Sequence, residues 1–551
     1  MKAHKRNPNW LSLLLVAAIT SFMEPTFAQT TAAAATAAAA YVPTEKIFLN
    51  CGASSKGNQT SQDGLSWEAD FGLGYAAGIQ KTVSATPSAQ DPSIPTIPYM
   101  TARIFQTPYT YSFPVTPGRK FVRLHFYPSN FTDPKFAASD SLFSVSIGPY
   151  TLLNNFSALL TAQATDNNYV IKEFSVNISS NTLNLMFTPS PANKKAFAFV
   201  NGIEIVPMPQ IFVQDDVFRQ PLIVGTTSTL TISEHMALET VARLNVGGQR
   251  VSPVEDSGLY REWDDDSLYV YGAAVGVTYP KDPNVTIKYP DTVPEYIAPP
   301  LVYGTARSMG PNAFVNLNYN LTWIVTVDAG FYYLVRLHFC EIAYPVTKVN
   351  MRVFDIFINN MTAVQGFDVI AYTNQAGLGV PIYLDFIVFF PNTSASPQQD
   401  LWVALHPDIS SKPVYYDAEL NGLEIFKLND STGNLAGPNP SVKLMVYQGK
   451  QEGEQKNHNR HFFTIEIGLP AAVLFILLLA FMELRRLRQG KVMLQSCVSS
   501  PSHQSRLFSV SGIKTATKDF SESLVTGVGG FGKVYWGEIA GGSTSVVIKQ
   551  G

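Results

Sequence analysis

The sequence predicts a mainly β protein. It places two tandem β-sandwiches outside a membrane, one transmembrane helix, and a short β-stranded segment inside. Three observations carry this. A set of short motifs occurs twice in the same order. Those motifs alternate apolar and polar residues with period two. Asn-x-Ser/Thr sequons stand on one side only of a single long apolar run.

The repeat comes first. Trp67 and Asp70 are echoed by Trp263 and Asp266, and Thr101–Arg103 by Thr305–Arg307. "VRLHF" at Val122–Phe126 returns at Val335–Phe339, and "FSVSI" at Phe143 returns as "FDIFI" at Phe354. "NGIEI" at Asn201–Ile205 returns as "NGLEI" at Asn421–Ile425. A nearly constant separation implies two copies of one domain. Val122, Leu124 and Phe126 share one strand face and Arg123 and His125 the other. Many such runs broken by Pro, Gly and Asn predict antiparallel sheets packed as a sandwich. The expected limits are 41–215 and 216–429, followed by a Gly/Pro-rich stalk at 430–461.

The N-terminus has the form of a secretory signal, 1–28. Lys2, Lys5 and Arg6 precede the apolar run Leu11–Ala18, and Thr26-Phe27-Ala28 offers a cleavage site. An Ala/Thr linker, 29–40, follows. The sequons are Asn58, Asn130, Asn155, Asn177, Asn284, Asn320, Asn360, Asn392 and Asn429. None follows Asn429, so the preceding chain is expected to face the secretory lumen and to carry glycans. Phe462–Met482 is long and apolar enough to cross a bilayer, with Arg485, Arg486, Arg488 and Lys491 just beyond it. The expectation is a single-pass plasma-membrane protein with its N-terminus outside.

A net charge of −3 gives no reason to expect nucleic acid as a partner. Three cysteines cannot form a disulfide scaffold. Cys497 is expected to be cytoplasmic and reduced, and Cys51 and Cys340 could pair or not. His125 and His338 are expected to be satisfied strand histidines rather than ligands. "HFCEI" brings His338, Cys340 and Glu341 together but offers too few ligands for a zinc site, so no metal is expected. Asp264–Asp266 beside Trp263 is expected to be a solvated acidic turn. Glu204 and Glu424 hold the same place in each repeat, which suggests a role in the fold, not a glycosidase pair. Sugar binding on Tyr and Phe faces stays open.

After a segment at 483–518, the stretch 519–551 carries the pattern G-x-G-x-x-G-x-V on Gly527, Gly529, Gly530, Gly532 and Val534. "VVIK" follows, ending at Lys549. Such a loop approaches ATP phosphates through backbone N–H groups, and such a lysine pairs with them. Val547 stands where most kinases carry alanine, and would crowd the nucleotide.

The order of these parts resembles the plant malectin-like receptor kinases of the FERONIA type, from Val42 to Gly551. The resemblance implies tandem malectin-like sandwiches and the start of a kinase N-lobe. It implies as partners a secreted peptide, a glycolipid-anchored co-receptor, wall polysaccharide and full-length relatives. It implies ATP as the nucleotide. The sequence continues only to Gly551, without the kinase's catalytic Asp and Asn or the D-F-G Asp. This segment by itself is therefore expected to bind ATP weakly and to transfer no phosphoryl group, with no catalytic residue assigned. Three readings stand: a receptor-like protein without kinase output, an incomplete reading of a longer active serine/threonine receptor kinase, and a wall-associated lectin.

Overall fold

Valine, leucine and phenylalanine at alternate positions dictate the two strands that organise the ectodomain, Gly118–Phe126 and Phe331–Phe339. They are seen in a computed structural model. It describes residues 41–440 apart from 55–56, 72–81, 133–135, 213–219, 273–274 and 393–396, then 518, 521, 525–529, 532–539 and 544–550. The chain divides into two units after Val446.

In the first unit each organising strand lies between two antiparallel partners. Gly118–Phe126 sits between Val170–Ile178 and Gly202–Pro207. Phe331–Phe339 sits between Ile382–Phe390 and Gly422–Leu428. The register is the same in both repeats. Arg123 stands opposite Glu173 and Glu204, and Arg336 opposite Asp385 and Glu424. The "NG" glycines face the histidines, Gly202 opposite His125 and Gly422 opposite His338. A Cβ at Gly202 would come within 2.7 Å of Pro98, and one at Gly422 within 2.7 Å of Val302. Close approach therefore requires glycine at this place twice.

Each sandwich closes with its own four-stranded sheet. In the first repeat it comprises Tyr109–Pro114, Thr182–Pro189, Phe143–Ile147 and Tyr150–Phe156. In the second it comprises Leu321–Asp328, Gln398–Pro407, Phe354–Ile358 and Met361–Phe367. Phe126, Phe143, Phe187 and Phe199 fill the first core, and Trp323, Phe339, Phe354 and Phe367 the second.

No loop separates the two large sheets. Val170–Ile178 pairs antiparallel with Leu238–Asn245, which pairs in turn with Gly422–Leu428. Among the described residues one sheet of 12 strands therefore runs through both repeats. A third core, containing Phe121, Phe212, Leu238, Trp263 and Phe426, spans the junction. The expected boundary at 215/216 falls within 213–219, outside the described residues.

Burial does not follow the alternation in "VRLHF": Arg119–Phe126 is buried at every position. Cys51 and Cys340 are buried, unpaired thiols, Cys51 in the first core and Cys340 in the junction core.

The stretch after Asp430 does not begin as a free stalk. Leu435 is fully buried in the first repeat's core. Its N–H donates to the Thr151 carbonyl at 2.9 Å, and the Thr151 N–H donates to the Gly433 carbonyl at 3.1 Å. The Ser157 N–H donates to Asn439 Oδ1 at 2.8 Å. The segment following the second repeat thus folds back onto the first. Leu435→Ala is expected to destabilise the first repeat by about 2–5 kcal/mol, the usual cost of a buried Leu→Ala cavity. Denaturant unfolding of the full chain followed by tryptophan fluorescence measures this; a change within about 0.5 kcal/mol would make the contact incidental.

The second unit contains a three-stranded antiparallel sheet, Val525–Gly529, Gly532–Ile539 and Thr544–Gln550. Gly529 stands opposite Gly532, and Val534 opposite Lys549. The expected signal 1–28, linker 29–40 and span 462–482 lie outside the described residues. Among the described residues no helix is long and apolar enough to cross a membrane.

Candidate ligand-binding cleft between the repeats

The inward polar residues of the large sheet form one buried ionic layer. In the first repeat, Arg123 Nε donates to Glu173 at 2.5 Å and its Nη1 to Glu204 at 2.8 Å. Glu204 also contacts His125 Nε2 at 2.7 Å, and the Tyr99 hydroxyl lies 2.9 Å from His125 Nδ1. The second repeat copies this chain: Tyr303 lies 2.9 Å from His338 Nδ1, and Glu424 3.1 Å from His338 Nε2. Both histidines are thus engaged at both nitrogens within the fold.

The arginines break the symmetry. Arg336 forms a bidentate pair with Asp385 at 2.7 and 2.8 Å instead of pairing with Glu424. Glu424 is served by Arg243 Nε at 2.7 Å. The same Arg243 reaches Glu173 in the first repeat at 2.7 Å, so one guanidinium ties the repeats together. Arg123 crosses in the other sense, its Nη2 donating to the Leu259 carbonyl at 2.9 Å. Burial alone would raise the Glu173 pKa, but Arg243 and then Arg123 outweigh it and hold the carboxyl at about 2. Glu424 is likewise held well below the usual range, against burial, by His338 and Arg243. Burial is the main cause that lowers the His338 pKa.

The aspartates flanking the tryptophans are also duplicated. Asp70 accepts from Arg103 at 2.7 and 2.9 Å and from Tyr111 at 2.9 Å. Asp266 accepts from Arg307 at 2.6 and 2.7 Å and from Trp323 at 2.9 Å. The expected solvated turn at Asp264–Asp266 is therefore corrected at its last residue. Asp264 and Asp265 are exposed, but Asp266 is a core anchor, because a bidentate arginine and an indole N–H meet its carboxylate.

Tyr99, His125 and Trp67 form the floor of a cleft of about 740 Å³ between the repeats. The equivalent Tyr303 and Trp263 are sealed in the junction core. Tyr169, Tyr260 and Tyr269 line the cleft walls, with the carboxyls of Asp63, Glu255, Glu262 and Asp264 and the guanidinium of Arg250. Arg250 is already paired with Glu262 at 2.5 Å. A cavity of this size with aromatic walls and a few polar groups has the build of a ligand site.

Of the sequons, Asn58, Asn130, Asn155, Asn284, Asn320, Asn360 and Asn392 are exposed, while Asn177 and Asn429 are half-buried. Asn429 is engaged on both sides. Its Oδ1 accepts from the Ala237 N–H at 2.7 Å, and its Nδ2 donates to the Asp430 carbonyl at 2.7 Å. In the second unit, Gly529 pairs with Gly532. Gly527 and Val534 are paired strand residues, and Gly530 lies outside the described residues.

Residues 49–428 match the model of the malectin-like domain. The chain belongs to the malectin-like family, and within it to the FERONIA type of receptor-like kinase. The receptor-like protein kinase FERONIA of Arabidopsis thaliana is 46% identical over 98% of this chain. ANXUR2 of the same plant is 39% identical over 92%. The chain spans 62% of FERONIA and 61% of ANXUR2, about six tenths of each relative's length. Among solved structures, a crystal structure of the plant receptor-like kinase FER is 52% identical with a TM-score of 0.67, covering 72% of this chain and 99% of that one. A crystal structure of the plant peptide RALF23 in complex with FER and LLG2 is 51% identical with a TM-score of 0.66, covering 73% of this chain and 99% of that one.

Sequence reasoning singled out the malectin-like pairs at His125 and His338 and at Glu204 and Glu424, and the structure joins each histidine to its glutamate. It missed Glu173 and Arg243, which join the repeats, and Tyr169, Tyr260, Tyr269 and Glu262, which line the cleft. The one available signal was charge in strand phase: Glu173 within "VIKEFSV" and Arg243 within "VARLN" stand next to apolar strand residues.

Proposed function

We propose that this chain is a single-pass receptor-like protein of the plasma membrane whose malectin-like ectodomain binds a secreted peptide together with a glycolipid-anchored co-receptor. One observation carries the reading: the likeness, at 51% identity and over 99% of that chain, to the FER that was crystallised with RALF23 and LLG2. Phe462–Met482 supplies the span and the sequons the outward face. Wall polysaccharide and full-length relatives are further partners by the same family likeness, in growth or wall-integrity signalling. The glycine-rich loop and Lys549 would meet ATP phosphates. The groups that hold magnesium and the acceptor hydroxyl in a kinase are outside these residues, and no phosphoryl transfer is assigned to them.

The test uses the full chain on the surface of plant cells, offered a labelled RALF23-type peptide with and without an LLG2-type co-receptor. Saturable capture that strengthens at least about tenfold with the co-receptor is expected, the signature of a shared interface. No capture in either condition would remove the receptor reading.

A further inference from the structure

The cleft between the repeats has a charge pattern that selects its occupant. Six carboxyls line it, Asp63, Glu173, Glu204, Glu255, Glu262 and Asp264, against Arg123, Arg243 and Arg250. Arg123 and Arg243 are paired with Glu173 and Glu204, Arg250 is spoken for by Glu262, and Glu255 caps the turn at Ser252. Asp264 lines the cleft two residues on from Glu262. Asp264 is exposed at the cleft surface, but the walls of the cleft displace water around its carboxyl, and this first, then Glu262, raises its pKa to about 6; Asp265 adds to this and Arg250 opposes it.

The walls suit the same kind of ligand. The rings of Tyr169 and Tyr269 are half-buried along the cleft, so each keeps an open surface. The protein already places one of its own cations at the hydroxyl edge of a third such ring. Lys46 Nζ lies 5.3 Å from the Tyr260 ring centre and donates to its hydroxyl at 3.0 Å.

We propose that this cleft receives a cationic side chain of a peptide, the guanidinium or ammonium of an arginine or lysine, with Glu262 and Asp264 as its counter-charge and Tyr169 and Tyr269 as its walls. The assignment rests on the peptide-receptor reading above and names the part of the ligand that this site takes. A polyanionic wall polysaccharide does not fit here, because its carboxylates would meet Asp63, Glu255, Glu262 and Asp264 with no free cation among the lining groups named.

The test uses the full chain in detergent and titration calorimetry. The probes are the blocked peptide acetyl-Gly-Arg-Gly-Arg-Gly-amide, its citrulline counterpart, cellotetraose and tetragalacturonate. The arginine peptide is expected to bind at least about tenfold more tightly than the citrulline peptide, since only the former makes charge-assisted bonds. Asp264→Asn leaves the Arg250–Glu262 pair in place. It should weaken the arginine peptide about tenfold without moving the unfolding midpoint. Wild-type binding should strengthen from pH 5 to pH 7 as Asp264 loses its proton, and Asp264→Asn should lose that dependence. Equal binding of arginine and citrulline peptides, unchanged binding by Asp264→Asn, or tighter binding of either saccharide would overturn the assignment.

The receptor reading separates cleanly from this one. If wild type and Asp264→Asn capture the secreted peptide and co-receptor equally well, the cleft assignment falls and the receptor reading stands. If the arginine probe binds through Asp264 while no secreted peptide is captured, the receptor reading falls and the cleft remains a cation site.

Discussion

Arg243→Met is expected to cost the ectodomain about 3–5 kcal/mol, the usual effect of breaking a buried ion pair from one side. Methionine roughly matches the apolar length of arginine, so the loss is of charge rather than volume. Glu424 would be left facing His338, and Glu173 would have to share Arg123 with Glu204. These carboxylates are almost fully buried, and a charge without a partner there retains its whole desolvation cost. Arg243 also holds the repeats together, because its two partners belong to different halves of the fused sheet. Denaturant unfolding of the full chain measures the effect. Arg243→Met combined with Glu424→Gln should cost less than the two changes summed, since the second removes the orphaned charge. A single-variant loss below about 1 kcal/mol, typical of a surface pair, would refute the account.

Stability should pass through a maximum in pH near the ordinary carboxylate value, with a different set of carboxyls on each side of it. On the acid side Glu173, Glu204, Glu239 and Glu424 all have pKa values lowered by folding from the ordinary 4.5, Glu173 to about 2. Such groups give stability that is complete above the unfolded value and lost as pH falls through the folded one. Stability should therefore decline from about pH 4.5 towards pH 2, by up to about 1.4 kcal/mol per pH unit for each group titrating. The other side rests on Arg352. Glu341 contacts it at 2.7 Å, Glu419 at 2.5 Å and Asp417 at 3.1 Å, and the Tyr279 hydroxyl donates to Glu419. One guanidinium cannot neutralise three buried carboxylates. Burial is the largest cause that lifts Glu341 well above 4.5 and raises Asp417. The sign is now opposite: a raised carboxyl stabilises below its unfolded pKa, and that contribution is lost as pH rises through the folded value. Glu341→Gln mimics the protonated form. It should flatten the decline above the ordinary carboxylate range and leave the acid side unchanged. An alkaline decline that persists unaltered in Glu341→Gln would show that another group sets that limit.

The repeat was legible because its pieces are local. "VRLHF" and "NGIEI" specify strand and face within five residues each, and their second copies confirm the phase. The tryptophan–aspartate and Thr-Ala-Arg motifs were legible in the same way, and the structure pairs Asp70 with Arg103 and Asp266 with Arg307. The solvated reading of Asp266 failed because one sequence position cannot say that an arginine and a tryptophan converge on it. The cleft was not legible at all. Tyr169 and the Glu262–Asp264 stretch come from separate parts of the chain and meet only because Val170–Ile178 pairs with Leu238–Asn245.

By itself the sequence determined the β-class, the duplication, the phase of each organising strand and the family, since period-two burial and close-packed glycines act over a few residues. Only the tertiary structure decided that the two sandwiches share one sheet, that Arg243 serves Glu173 and Glu424 at once, that Leu435 returns to the first core, and that the Tyr–His–Glu chain is open to a cleft in one repeat and sealed in the other. These features depend on which strand edge meets which, and on the side chains that long-range pairing brings within a few ångströms. Strand pairing fixes register along the chain, but the choice of partner edge is made by burying apolar area and matching charges across the whole molecule.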